Sequence, residues 1–109
     1  MRLGPPTRPQ LKWFLDRATS RFGDRPDPYT RSVLATIAWV LGELRVSPIT
    51  GERFVRPPSA ADMAAEEEAA GRAAYGPPEQ SRGYSADAVE ATLMWIRGVF
   101  SDPPIDLAR

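Results

Sequence analysis

Residues 27–46, DPYTRSVLATIAWVLGELRV, decide the fold of this chain. Asp27 can accept hydrogen bonds from the free N–H groups of a helical first turn, and Pro28 gives up an N–H that would be orphaned at that position anyway. At 100° per residue, Val33, Leu34, Ile37, Val40, Leu41 and Leu44 form one broad apolar stripe; Ala35, Trp39, Gly42 and Val46 form a second, narrower one. A helix apolar on two sides is wrapped by others, and its uncharged run, 32–42, is too short to cross a bilayer. The stretch predicts a central core helix over 27–46, with Glu43 its one internal acid, facing solvent or a neighbouring Arg.

Working toward the N-terminus, Thr7 and Gln10 have capping-box spacing, and Leu11, Phe14, Leu15, Ala18 and Phe22 follow at helical intervals. This predicts a helix over 8–22, stopped by Gly23 and Pro26. Toward the C-terminus, Pro48, Pro57 and Pro58 exclude a continuous helix, so 47–58 reads as an irregular arm. Thr50-Gly51 could turn it into a small hairpin or a closed surface loop. Ser59 and Asp62 make a second capping box, opening an alanine-rich helix over 59–75 with a supportive Glu68–Arg72 pair. Gly71 costs that helix about 1 kcal/mol relative to Ala, and few large apolar side chains anchor it, so it is expected to be the least stable. A turn-rich linker, 76–84, leads to a last helix over 85–101, capped by Ser85 and striped by Ala86, Val89, Leu93, Ile96 and Phe100. The expected fold is all-α: one domain, 1–109, a small bundle of about four helices, with 1–6 and 102–109 as loose termini.

A chain of 109 residues buries roughly 60–70% of its unfolded surface, enough for one modest core. It contains no cysteine and no histidine, which removes disulfides, thiolate chemistry and the commonest general base and metal ligand. Glu66, Glu67 and Glu68 point about 100° apart on a helix, so they cannot converge on an ion and read as solvated surface. No glycine-rich phosphate loop, zinc spacing, nucleophile elbow or repeat is present. The expectation is a protein without enzymatic activity, cofactor or metal. Without a signal peptide or spanning segment, it is expected in the cytoplasm.

Charge is uneven although the net is zero: residues 1–58 carry ten basic and five acidic side chains, and 59–109 carry four and nine, so the halves are +5 and −5. Trp13, Arg17 and Arg21 form a row on the outer face of the first helix, with Arg8 and Lys12 nearby, a set able to grip phosphate. The competing reading stacks Trp13 on the Arg17 stem and tucks it into the core edge. In the arm, Ile49, Arg53, Phe54, Val55 and Arg56 form a partner-binding set together with Ile105 and Leu107 of the tail. Phe54 and Val55 either fold back on the central helix or stand exposed between the two arginines. The expected function is a small protein–protein interaction module, an adaptor, inhibitor or assembly subunit that binds another protein or its own copies. Nucleic-acid binding by the basic half is the alternative, and oligomerisation would cover any wet stripe around Trp39.

Overall fold

A computed structural model describes residues 5–107. It contains four α-helices, α1 (Arg8–Phe22), α2 (Pro28–Leu41), α3 (Ala60–Ala73) and α4 (Ala86–Ile96), with a short 3₁₀ turn, Pro78–Ser81, between α3 and α4. The chain is all-α, as its apolar periodicity indicates. Among the described residues the β structure amounts to one isolated antiparallel bridge, Val46 with Arg53.

All four helices start where local chemistry places them. The Thr7 hydroxyl accepts from the Gln10 amide while the Gln10 side chain accepts from Thr7 N–H, and Ser59 and Asp62 repeat the exchange. Asp27 and Ser85 cap α2 and α4 by accepting from the amides of Thr30 and Ala88. Each bond satisfies a donor that a helix start would otherwise leave open.

α1 ends at Phe22 before Gly23, as the sequence indicates, whereas the other three helices end earlier than the sequence reading. α2 stops at Leu41, not residue 46, because Gly42 adopts a left-handed conformation (φ 83°) and turns the amides of Glu43 and Leu44 back onto Ala38 O. α4 stops at Ile96, not 101: Gly98 (φ 88°) reverses the chain, and the Val99 amide bonds Met94 O. The apolar pattern runs on past both glycines, so periodicity alone overshoots by about a turn. α3 is likewise trimmed, from 59–75 to 60–73. Leu44 and Val46 thus belong to the arm, and Val99 and Phe100 stand substantially exposed beyond α4.

α2 lies between α1 and α4, and α3 covers the far side of α4. Val33, Ile37 and Val40 of α2 meet Leu11, Phe14 and Leu15 of α1 and Val89, Leu93 and Trp95 of α4 in one core, where the Phe14 and Trp95 rings lie 5.1 Å apart. Ser32 joins the two inner helices: its hydroxyl donates to Pro28 O and accepts from the Ser85 amide at 2.8 Å. α3 approaches α4 closely because its buried face is thin. A Cβ on Gly71 would come within 2.8 Å of a Glu90 carboxylate oxygen. The Arg97 guanidinium then closes that seam with two 2.8 Å bonds to Glu67. The tail also packs: Ile105 and Leu107 lie half-buried against the core. No helix among the described residues is long and apolar enough to cross a membrane.

Two expected outcomes follow from the helix ends. A Gly42→Ala variant must hold a left-handed φ, costing about 1–2 kcal/mol, and its Cβ would sit 2.9 Å from Pro57 Cγ. Its thermal midpoint should fall by roughly 5–10 °C. Asp27 and Asp62 are held below the usual carboxylate value, Asp27 first by the Thr30 side chain and Asp62 by the Ser59 amide. Because these folded-state values are depressed, their stabilisation is present above about pH 4 and is lost as pH falls through them. Thermal melts between neutral pH and about pH 2 should show a smaller acid-induced fall in the Asp27→Asn, Asp62→Asn double variant than in wild type.

Candidate functional site

Between α2 and α3 the arm folds as a short hairpin closed by a single bridge. The Ser47 amide donates to Glu52 O, Gly51 N to Ser47 O and Phe54 N to Arg45 O, at 3.0, 3.0 and 2.8 Å. Gly51 makes the turn at φ 72°. Of the two shapes the sequence allowed, the chain takes the hairpin, and it buries Ser47, Pro48 and Ile49 beneath it.

What fixes this hairpin is a carboxylate. Glu66 of α3 is only 2% exposed, and it accepts from the amides of Ile49 and Thr50 and, at 2.8 Å, from the Thr50 hydroxyl. No basic side chain forms an ion pair with it among the described residues. Taking a lone carboxylate out of water costs several kcal/mol, so these donors must replace its hydration. This corrects the reading of residues 66–68 as three solvated glutamates. They do diverge, but one direction is inward: Glu66 is buried, Glu67 bonds Arg97, and Glu68 pairs with Arg72 on the surface. A signal for it exists in the sequence, since Met63, Glu66, Ala70 and Ala73 share one helical face, and all four face the interior.

Two further contacts hold the arm. Arg82, in a left-handed conformation (φ 53°), donates to Ser47 O at 3.2 Å and lays its guanidinium against Gly51, where a Cβ would meet it at 2.7 Å. Phe54 packs edge-on against Trp39 of α2 with ring centroids 5.4 Å apart. Trp39 serves the arm through its ring and bulk, for its indole N–H meets no acceptor among the described residues. Neither Glu66 nor Arg82 stood among the candidate residues read from sequence.

The candidate residues then separate. Ile49 is 5% exposed and belongs to the core, which withdraws it from the surface set. Phe54 is half-buried on Trp39. Val55 is 88% exposed, flanked by Arg53 and Arg56, which are also exposed and pair with no carboxylate among the described residues. Arg45 donates to Val55 O at 3.1 Å, steadying this segment beyond the bridge. Ile105 and Leu107 lie apart from the arm and instead line a groove with Trp13.

On α1 the basic row is largely committed within the chain. Arg8 donates to Val40 O and Leu41 O, capping the end of α2. Lys12 pairs with Glu43 at 2.8 Å and Asp16 at 3.2 Å, and these bonds raise its pKa above the ordinary lysine value. Glu43 therefore meets a lysine rather than an arginine. Arg21 lies over the Phe22 ring, and Arg17 lies 5.9 Å from the Trp13 centroid. Trp13 does stack with Arg17, but it does not tuck into the core edge: it is 60% exposed, beside a groove of about 740 Å³.

Among the described residues no cluster of carboxylates is grouped to hold a metal ion. No family model matches the chain, and neither a curated protein nor a solved structure matches it.

Replacing Glu66 by Ala would strand the buried amide of Ile49 and the partly buried amide of Thr50 and open a void beneath the turn. The expected loss is about 2–4 kcal/mol by urea denaturation, against less than about 1 kcal/mol for Glu68→Ala on the exposed side of the same helix. Equal effects at the two positions would contradict the clamp.

Proposed function

We propose that this chain is a small non-catalytic helical module that binds another protein through the exposed end of its arm, with Arg53, Val55 and Arg56 as contact residues. The observation that carries this reading is an apolar side chain 88% exposed between two exposed arginines that form no ion pair among the described residues, on a loop fixed from α2, from α3 and from Arg82. A loop already ordered loses little entropy on binding, so its few contacts convert efficiently into affinity. Two guanidinium groups beside an apolar residue suit a partner segment that carries carboxylates next to a hydrophobic side chain, since arginine forks grip carboxylates bidentately. The lack of histidine and cysteine supports a non-catalytic role. Adaptor, inhibitor and assembly subunit all fit such a surface. Nucleic-acid binding is disfavoured by the internal bonds of Arg8 and Lys12, which engage two of the four basic residues of the α1 set.

The test is affinity capture from native lysate with and without nuclease, using wild type and an Arg53→Glu, Arg56→Glu variant. A stoichiometric protein should survive nuclease with wild type and be lost with the variant, whose thermal midpoint should stay within a few degrees because surface changes cost about 0.5 kcal/mol or less. Retention by the variant, or loss of all companions on nuclease treatment, would overturn the reading.

A further inference from the structure

We propose that copies of this chain bind one another head to tail, the arm of one copy docking on a groove beside Phe100 of the next. The inference rests on the arm reading above and names the partner as a second copy. The groove, about 450 Å³, lies where α2 begins and the chain leaves α4, with Tyr29, Ala91, Val99 and Phe100 in its wall. Val99 and Phe100 are each 45% exposed. Asp102 is the only charged residue lining it among the described residues. A second carboxylate stands close by. Burial first, and then the charge of Asp87, raise the Tyr29 pKa, which puts Asp87 near the phenol. Asp87 also precedes Ala91 by one helical turn on the same face of α4.

Charge and position identify the occupant. Neither Asp87 nor Asp102 forms an ion pair among the described residues, and Arg31 and Arg97 are engaged elsewhere, with Gly83 O and with Glu67. The exposed end of the arm is the converse surface. Val55 stands 88% exposed there, and residues 45–58 carry three arginines against one carboxylate, Glu52. Val55 fills the groove against Phe100 while Arg53 and Arg56 fork onto the two carboxylates. The same opposition runs through the whole chain: with +5 on residues 1–58 and −5 on 59–109, copies attract end to end although the net charge is zero. A copy does not fill its own groove. Phe54 holds the arm against Trp39 near the end of α2, whereas the groove opens at Tyr29 near its start, about 15 Å away along the helix. Glu66 fixes the arm in that place. The contact therefore joins two different surfaces, and such a contact propagates into a chain or closes into a ring.

The experiment is sedimentation velocity on the full chain up to about 200 μM, a range that reports micromolar affinity. It compares wild type with an arm variant, Arg53→Glu with Arg56→Glu, and a groove variant, Phe100→Ser with Asp102→Ser. Wild type should form species of two or more copies. Each variant alone should sediment as a monomer, with a melt within a few degrees of wild type, since all four replaced side chains are exposed. An equimolar mixture of the two variants should recover a dimer and stop there, because each pair holds one intact arm and one intact groove. In capture from native lysate, the companion lost with the arm variant should be the untagged chain itself. A monomeric wild type, variants that associate like wild type, or a mixture that stays monomeric would overturn head-to-tail docking. If wild type is monomeric yet its arm still captures a different protein, the arm reading stands and only its assignment to a second copy falls.

Discussion

A single buried carboxylate couples the alanine-rich helix α3 to the hairpin arm. Glu66 sits on a helix whose inward face is mostly alanine, and an alanine face gains little from burial on its own. The hairpin it grips is equally marginal alone, closed by one bridge. Bonded together, each supplies what the other lacks: the turn amides replace the carboxylate's water, and the carboxylate satisfies amides that burial would otherwise orphan. Docking of α3 and ordering of the arm therefore support each other. Arg82 and the Phe54–Trp39 contact tie the same hairpin to the 3₁₀ corner and to α2.

The consequence for function lies in which groups are left over. Nearly every polar feature near the arm is spent internally, on the Ser47 carbonyl, the Val55 carbonyl or the Glu66 oxygens. Arg53 and Arg56 form no ion pair among the described residues, Arg56 acting only weakly on Asp62, and the side chain of Val55 stands in water. The same contrast separates the basic residues of α1, where Arg8 and Lys12 secure the end of α2 and Arg17 remains beside an exposed indole. Cations that cap carbonyls or balance Glu43 are structural. Under the function proposed above, those outside any ion pair near Val55 receive the partner.

Helix starts were legible because they depend on chemistry within four residues: Thr7 with Gln10, Asp27 with Pro28, Ser59 with Asp62, and Ser85. The ends of α2 and α4 were not, because Gly42 and Gly98 lie inside apolar patterns that continue beyond them, and only tertiary packing decides whether a glycine is a helical residue or a stop. Around the candidate site, the exposure of Val55 and its arginines was within the range the sequence allowed. Burial of Glu66 was signalled only by its place on the inward face with Met63, Ala70 and Ala73, because glutamate is solvated by default and only the facing amides, 16 and 17 residues away, reverse that preference; burial of Ile49 carried no such sign. Arg82 gave no local sign, as a left-handed arginine is defined by what it packs against. Trp13 is the opposite case: an aromatic expected to seek the core edge stays mostly outside.

The central claim, that the arm is a pre-ordered element locked by Glu66, is tested most directly by native-state hydrogen exchange at the amides of Ile49 and Thr50. Both donate to the buried carboxylate, so both should exchange only through large-scale opening, with protection close to that of Ile37 and Leu93 in the core. Rapid exchange at these two amides, at rates near those of exposed loop positions such as Arg56, would show the arm opening independently and would contradict the lock.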